Sequence, residues 1–294
     1  MKHIRLIAGL AGMIAFASCN KELTIKPLSF TVTTSSTKYK VGDTVHFKFT
    51  GNPDIISFYS GDDGNDYANR ERTLADGKPQ LQFATYAQYG NQVNTLQLMV
   101  STDFTGTYDA ASIAKATWTD VTDRAKLSSG ADNTPSGIVD LSDILAQKKP
   151  VFIAFKYTGV TGSTQKTWTI KNLTLSLLKT NNKVLPITDM ASAGWKQVDI
   201  KNPTAVWSIS ASQLRIAGGG VTVADNEDWV VSKLLYLNQV APDVAVPIKN
   251  ITQQLDSYDY VFTQPGTYKV VFLAANATSD KQESTTQEIN LTIQ

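Results

Sequence analysis

Two short acidic clusters contain the residues of this chain best suited to chemistry. Asp62 and Asp63 form one cluster, and Asp225, Glu227 and Asp228 form the other. A glycosidase needs two carboxylates facing each other across a cleft, and Ca²⁺ binds oxygen-rich turns. Both clusters lie in turn-rich stretches, which favours solvated turns. Asp62, Asp63, Asp225 and Asp228 remain candidate ligands of a structural calcium ion, although neither cluster follows a twelve-residue calcium loop.

Histidine and cysteine are too scarce for several common mechanisms. The chain has two histidines and one cysteine. If an N-terminal signal containing His3 is removed, His46 alone remains, which excludes a histidine-rich zinc site. Val45, Phe47 and Phe49 alternate with His46, so His46 is predicted to lie on the solvated face of a strand. We therefore expect a protein that is not an enzyme.

The overall charge is close to neutral. The formal net charge is +1 and the isoelectric point is near 7.7. Without an excess of either sign, the composition gives no reason to expect a nucleic-acid partner. Hydrophobic residues make up 42% of 294 residues, which is enough for one large core or two modest ones.

Exposed aromatic residues beside polar ones are typical of carbohydrate-binding sites, because sugars present flat apolar faces and hydroxyl groups. Tyr67 and Arg70 lie in one such loop, and Tyr86 and Tyr89 lie in another. Trp195 lies between Gly194 and Lys196, and these neighbours predict an exposed side chain. These five residues are the candidate ligand-binding residues; the open alternative is that any of them packs against a sheet edge. The tryptophans predicted to be core are Trp118, Trp168, Trp207 and Trp229.

The N-terminus has a basic start, an apolar run over residues 6–17 and the single cysteine, Cys19. Residues 16–19, Phe-Ala-Ser-Cys, resemble the lipobox of a bacterial lipoprotein. The resemblance implies a signal peptide at 1–18, acylation of Cys19 and a tether at 19–27. Residues 21–22, Lys-Glu, resemble the tether of surface-exported Bacteroidetes lipoproteins, which implies an outer-membrane lipoprotein exposed on the cell. The alternative is an ordinary cleaved signal peptide with an incidental cysteine.

Strand-like alternation predicts an all-β fold. Residues 42–45, Gly-Asp-Thr-Val, resemble the opening of a PKD-type Ig-like domain, and residues 265–270, Pro-Gly-Thr-Tyr-Lys-Val, resemble a later strand of that family. The resemblance implies an Ig-like sandwich split between residues 28–66 and 244–294. A loop tip tolerates an inserted domain. On this hypothesis Phe47 and Val270 share one core.

The intervening residues 70–243 contain further strand-like runs, including 151–155 and 173–177. These runs resemble choice-of-anchor or cleaved-adhesin jelly rolls. In those families a strand reading Asp-Trp-Leu-Ile-Ser comes first, whereas here residues 228–232, Asp-Trp-Val-Val-Ser, come last. The resemblance therefore implies a circularly permuted jelly-roll sandwich; the alternative is an incomplete jelly roll followed by an unrelated segment.

The whole arrangement resembles a Bacteroidetes surface lipoprotein family of unknown function, related in style to the lipoproteins of starch-utilisation systems. The resemblance implies a lipid-anchored cell-surface protein that recognises a glycan in a polysaccharide-utilisation system. The alternative is an adhesion or scaffold protein that binds another surface protein. An exposed aromatic-lined groove would favour the first function, and a broad apolar patch would favour the second.

Overall fold

The structure, a computed structural model, describes residues 24–51 and 53–294. The predicted signal peptide and Cys19 lie outside the described residues. The described chain is nearly all β, which confirms the predicted fold class. It divides into two compact units. We call the described residues up to Tyr67, together with Val244–Gln294, the split unit, and Ala68–Asp243 the inserted unit.

The elements in chain order begin with the strands β1 (Thr31–Thr33), β2 (Lys38–Tyr39), β3 (Thr44–Thr50), β4 (Ile55–Tyr59), β5 (Lys78–Gln88), β6 (Leu96–Ser101), β7 (Thr119–Asp120), β8 (Thr134–Pro135), β9 (Val139–Asp140) and β10 (Phe152–Gly159). They continue with β11 (Thr167–Leu178), β12 (Val184–Asp189), β13 (Lys196–Lys201), β14 (Trp207–Ile209), β15 (Gln213–Ile216), β16 (Asn226–Val231), β17 (Val246–Lys249), β18 (Ser257–Val261), β19 (Gly266–Ala277) and β20 (Gln282–Ile293). Two short helices, α1 (Ala110–Lys115) and α2 (Ser142–Leu145), lie between strands.

The split unit has a three-stranded sheet, β1-β3-β18, and a five-stranded sheet, β17-β4-β19-β20-β2. Its core contains Phe47 from β3, Phe58 from β4, and Val270 and Phe272 from β19. The rings of Phe47 and Phe272 lie 5.0 Å apart between centroids. Strands more than two hundred residues apart in sequence therefore share one core, and Phe47 and Val270 both belong to it.

The chain leaves and re-enters the split unit at one place. The backbone N–H of Val244 donates to the carbonyl of Gly64 at 3.1 Å. The side chain of Asn65 accepts a hydrogen bond from the backbone N–H of Ser60 and donates one to the carbonyl of Val244. Because the outgoing and returning segments are joined directly, a long insertion fits at this turn without opening the core.

The inserted unit also has two principal sheets. One has the order β13-β16-β10-β6-β7, and the other has the order β14-β15-β11-β5-β8, with β12 and β9 paired beside it. The largest core lies between them. On β5, Leu81 and Phe83 belong to that core, whereas Gln82 and Tyr86 alternate with them and lie on the outer face. Period-two alternation thus separates the core from the outer surface.

In the inserted unit, the connection between β6 and β7 covers the outer face of the sheet β13-β16-β10-β6-β7. Phe104 and Ile113 from this connection pack on Phe152, Trp229 and Val231. Helix α1 is fixed there because the carboxylate of its N-cap, Asp109, accepts from the backbone N–H of Ser112 at 2.7 Å. A second apolar layer therefore closes this face to solvent.

The late segment that contains Trp229 belongs to this same sheet. Strand β16 pairs with β10 on one side and with β13 on the other, both antiparallel. Trp229 and Val231 are buried under the covering connection. The segment is therefore part of the sheet framework of the inserted unit and is not a separate appendage.

Within the described ranges, no helix is long and apolar enough to cross a bilayer.

Candidate ligand-binding site

Three loops meet at one end of the inserted unit. We call residues 89–95, 160–166 and 217–225 the loop tip. The side chain of Gln92 donates to the carbonyl of Val160 at 2.6 Å, and the N–H of Gly162 donates to the carbonyl of Val221 at 2.9 Å. These bonds connect loops that are far apart in sequence, so the loop tip is built by the fold of the unit.

Tyr89 is the most unusual residue of the loop tip. Its side chain is 68% exposed, and its backbone is left-handed with φ of 57°. A bulky residue rarely adopts this conformation, which costs on the order of 1 kcal/mol or more. The neighbouring Gly90 is also left-handed, and a Cβ there would lie 2.1 Å from the carbonyl oxygen of Thr164. The turn is closely packed, yet it holds an aromatic ring in solvent.

A cavity of about 320 Å³ lies beside this turn. Its lining combines apolar side chains with polar ones; the apolar residues include Val93, Leu96, Leu127 and Trp168, and the polar ones include Gln92, Asn94, Ser128 and Lys166. The ammonium of Lys166 donates to the carbonyl of Gly90 at 3.0 Å, which fixes the cavity wall to the Tyr89 turn. Its volume lies at the small end of the range for ligand pockets, and an apolar lining with a few amides and hydroxyls is suited to a small ligand that has both apolar and hydroxyl groups.

The loop tip carries little charge but exposes apolar side chains. Lys166 and Asp225 are its charged residues, and Asp225 accepts from the backbone N–H of Thr161 at 2.8 Å. Val93, Val160 and Val221 are all exposed. The surface is therefore almost neutral, with aromatic, aliphatic and amide groups side by side. It suits a neutral ligand better than a strongly charged one.

Tyr86 and Tyr89 come from the same strand end but lie on different surfaces. Tyr86 is half-buried on the outer face of the seven-stranded sheet, opposite Thr169 on β11. Arg215 and Ser208 continue this row on β15 and β14. Tyr86 therefore belongs to a polar sheet face, while Tyr89 belongs to the loop tip.

Tyr67 and Arg70 lie on opposite sides of the boundary between the two units. Tyr67 is half-buried, and its ring packs edge-on against Tyr59 with 5.2 Å between centroids. Arg70 is exposed and forms an ion pair of 3.2 Å with Glu71. Neither residue belongs to the loop tip.

The expectation that Trp195 is exposed is wrong. Trp195 is 7% exposed, and its ring lies 5.9 Å from that of Phe155 in the core between the sheets. Gly194 has φ of 64° and turns the chain, so that the next residue enters the start of β13 facing inward. The glycine marks a turn correctly, but it does not place the following tryptophan in solvent. Trp195 is therefore removed from the candidate site.

The first acidic cluster is engaged by its own unit. Asp62 accepts hydrogen bonds from the hydroxyls of Ser60 at 2.9 Å and Tyr260 at 3.0 Å. Asp63 is exposed. Asp62 and Asp63 belong to the split unit, whereas the second acidic cluster belongs to the inserted unit. Throughout the described residues, no group of three or more His, Cys, Asp or Glu side chains is placed to hold a metal.

Asp228 does not lie in a solvated turn, as its sequence context had suggested. It is 1% exposed and lies within β16, directly opposite Asp199 on β13. Burial raises the pKa of Asp228 to about 7, and the negative charges of Asp199 and Glu227 also raise it. The strand-like run 228–232, which resembles the Asp-Trp-Leu-Ile-Ser strand, already contains Asp228 and was the sequence signal against a turn.

The chain matches the model of one protein family, described as Domain of unknown function (DUF5017), over residues 18–195. Searches of curated proteins and of solved structures found no match. The family match covers more than half of the 294 residues and ends at Trp195, before β13 and β16 complete the five-stranded sheet. The chain belongs to the DUF5017 family.

Proposed function

We propose that this protein is a lipid-anchored cell-surface protein that binds a glycan through the loop tip of the inserted unit. The observation that carries the proposal is Tyr89, an exposed ring held on a left-handed backbone in a turn that Lys166 joins to the wall of a cavity with both polar and apolar lining. Backbone strain without a packing benefit is a feature of binding surfaces. The proposal places the protein on the outer membrane, within a polysaccharide-utilisation system, and includes no catalytic step.

The chemistry of the loop tip supports a neutral sugar. A pyranose ring can lay its apolar face on Tyr89, because aromatic rings bury apolar surface at little entropic cost. Asn94 and Ser128 offer hydrogen-bonding groups at the cavity wall. The near absence of charge favours uncharged glycans over sulfated or uronic-acid polymers.

The test is a glycan array probed with the purified protein and two variants. Tyr89→Gly removes the ring but accepts the left-handed backbone, so the fold is expected to be retained. We expect its affinity for the recognised glycan to fall at least tenfold, which corresponds to about 1.4 kcal/mol. The matched control is Tyr236→Ala, which removes a 46% exposed tyrosine of the same unit outside the loop tip.

Two outcomes would contradict this proposal. Unchanged binding by Tyr89→Gly would move the glycan site away from the loop tip, and the polar face around Tyr86 and Arg215 would then be the next region to substitute. Failure of the wild-type protein to bind any glycan on a broad array of neutral polysaccharides would remove glycan recognition itself.

A protein partner is the second candidate, as expected of an adhesion or scaffold protein. It is favoured by the exposed Val93, Val160 and Val221, which form apolar surface next to Tyr89. In this case Val93→Ser would reduce partner binding as strongly as Tyr89→Gly does. If the ligand is a glycan, we expect Val93→Ser to have a smaller effect than Tyr89→Gly.

Membrane anchoring has its own test, because it depends on Cys19 and not on the loop tip. We expect metabolic labelling with a fatty-acid probe to mark the wild-type protein but not Cys19→Ala. Equal labelling of both would contradict acylation at Cys19. Surface exposure predicts that protease added to intact cells digests the protein; digestion only after lysis would contradict it.

A further inference from the structure

Two carboxylates face each other between the sheets of the inserted unit. Asp199 on β13 and Asp228 on β16 are direct cross-strand partners. Asp228 shares its face with Val230 and is opposite Tyr157 on β10, and both of these residues belong to the core between the sheets. Like charges directly opposite on neighbouring strands repel each other, and burial strengthens the repulsion.

Four buried polar atoms at this pair have no hydrogen-bond partner in the protein. Asn226, two residues before Asp228 on the same face, is 2% exposed, and neither atom of its amide group forms a hydrogen bond. Oδ2 of Asp228 and Oδ1 of Asp199 are likewise buried without a partner. Buried polar groups are normally satisfied, so three unpartnered oxygens in adjacent rungs of one sheet call for a ligand.

The neighbouring strands supply no positive charge to the pair. Lys156 of β10 lies 3.5 Å from Glu227, and Lys201 of β13 is the cross-strand partner of Glu227, on the other face of the sheet. Lys196 lies two residues before Val198 on β13 and therefore shares its outer face of the sheet. The hydroxyl of Tyr157, on the inner face, donates to the carbonyl of Lys166 at 2.8 Å.

We propose that Asp199, Asn226 and Asp228 bind a divalent calcium ion between the two sheets. Two carboxylates and one amide carbonyl are the oxygen ligands that this hard cation prefers, and water would complete its coordination. A cation also removes the repulsion that the protein leaves uncompensated. Asp199 is half-buried, which gives the ion a path from solvent. This site differs from the exposed Asp225 and from the Asp62 turn.

The test is thermal unfolding of the purified protein in 5 mM CaCl₂ and in EDTA. A site with a dissociation constant of about 10⁻⁴ M would raise Tm by about 5 °C, because calcium binds the folded state only. Asp228→Asn should abolish this shift. Asp225→Asn is the matched control, since it removes an exposed carboxylate three residues away, and it should keep the full shift.

Titration calorimetry with CaCl₂ on the wild-type protein keeps the test valid if Asp228→Asn fails to fold. In addition, Asn226→Asp adds a third carboxylate and should raise calcium affinity at least tenfold. Absence of calcium binding by the wild type would overturn the proposal and leave a proton as the group that neutralises the pair. A calcium shift that survives in both Asp228→Asn and Asp199→Asn would also overturn it, because the ion would then bind elsewhere.

Discussion

The split unit and the inserted unit are both built from paired β-sheets, but they differ in whether their buried polar side chains have hydrogen-bond partners. The core of the split unit is dominated by aromatic rings, with Phe47, Phe58 and Phe272 in mutual contact. Across the described residues, every buried polar side-chain atom that lacks a partner belongs to the inserted unit. Among the described residues, the free-energy cost of burying polar groups without partners therefore falls on the inserted unit.

This difference indicates where binding is expected. A core of packed rings stabilises a fold but offers no group to which a ligand could bind. Unpartnered polar atoms and a strained exposed tyrosine, in contrast, are retained where a ligand uses them. On this account the split unit is a framework and the inserted unit is the binding part. The predictions below test each side of this comparison.

The largest expected effect is in the core of the split unit. Phe47→Ala removes a fully buried ring that contacts Phe58 and Phe272, and should lower the free energy of unfolding by about 3–5 kcal/mol. Hydrogen exchange should show loss of protection in β19 as well as β3, with β10 of the inserted unit unchanged. If β19 kept its protection, the two segments would not share one cooperative core.

The next largest loss in the free energy of unfolding is expected where the two ends of the inserted unit meet. Arg72 pairs with the buried Asp243, and the N–H of Asp243 donates to the carbonyl of Asn69 at 3.1 Å. Arg72→Met removes this ion-pair partner from the buried carboxylate of Asp243 and should cost about 3 kcal/mol in denaturant unfolding. The matched control is Arg70→Met, which breaks an exposed pair and should cost less than about 1 kcal/mol. Equal costs would show that this buried pair does not hold the ends together.

A pH effect should come from Asp228 in metal-free protein. Its pKa is raised to about 7 in the folded state, so the folded protein binds a proton more strongly than the unfolded chain does. This stabilisation is fully present below pH 4 and is lost as the pH rises through 7; between pH 5 and 7 unfolding in EDTA should become easier by about 2 kcal/mol. Asp228→Asn should flatten this dependence. A variant with an unchanged pH profile would assign the effect to other groups.

The smallest effect is expected at the surface of the split unit. His46 pairs with Asp259 at 2.7 Å, and both side chains are mostly exposed. Because water screens such pairs, His46→Ala should change the free energy of unfolding by less than 1 kcal/mol. A loss near that of Phe47→Ala would mean that β3 depends on this pair, contrary to an account based on the apolar core.

The strands of the split unit were the most predictable part of the fold. Val45, Phe47 and Phe49 alternate with polar residues on β3, and Tyr268, Val270 and Phe272 occupy every second position of β19. Such period-two patterns identify the core face of a strand without knowledge of its partner. His46, placed by the same alternation on the solvated side, is indeed exposed.

The errors arose where burial depends on the three-dimensional path of a turn. Trp195 and Asp228 lie next to glycine, asparagine and aspartate, which are typical of turns, but each residue points between the sheets. In the loop tip, Tyr89 could be selected from its neighbouring amides. The loops at 160–166 and 217–225 could not be placed beside it, because only the assembled sheets bring them there.

Hydrogen exchange of the purified protein, with and without a glycan selected on the array, tests the central claim most directly. The account predicts slower exchange at residues 89–95 and 160–166 of the inserted unit when the glycan is present, with β3 and β19 of the split unit unchanged. Protection that appears in the split unit and not in the loop tip would contradict the assignment of binding to the inserted unit.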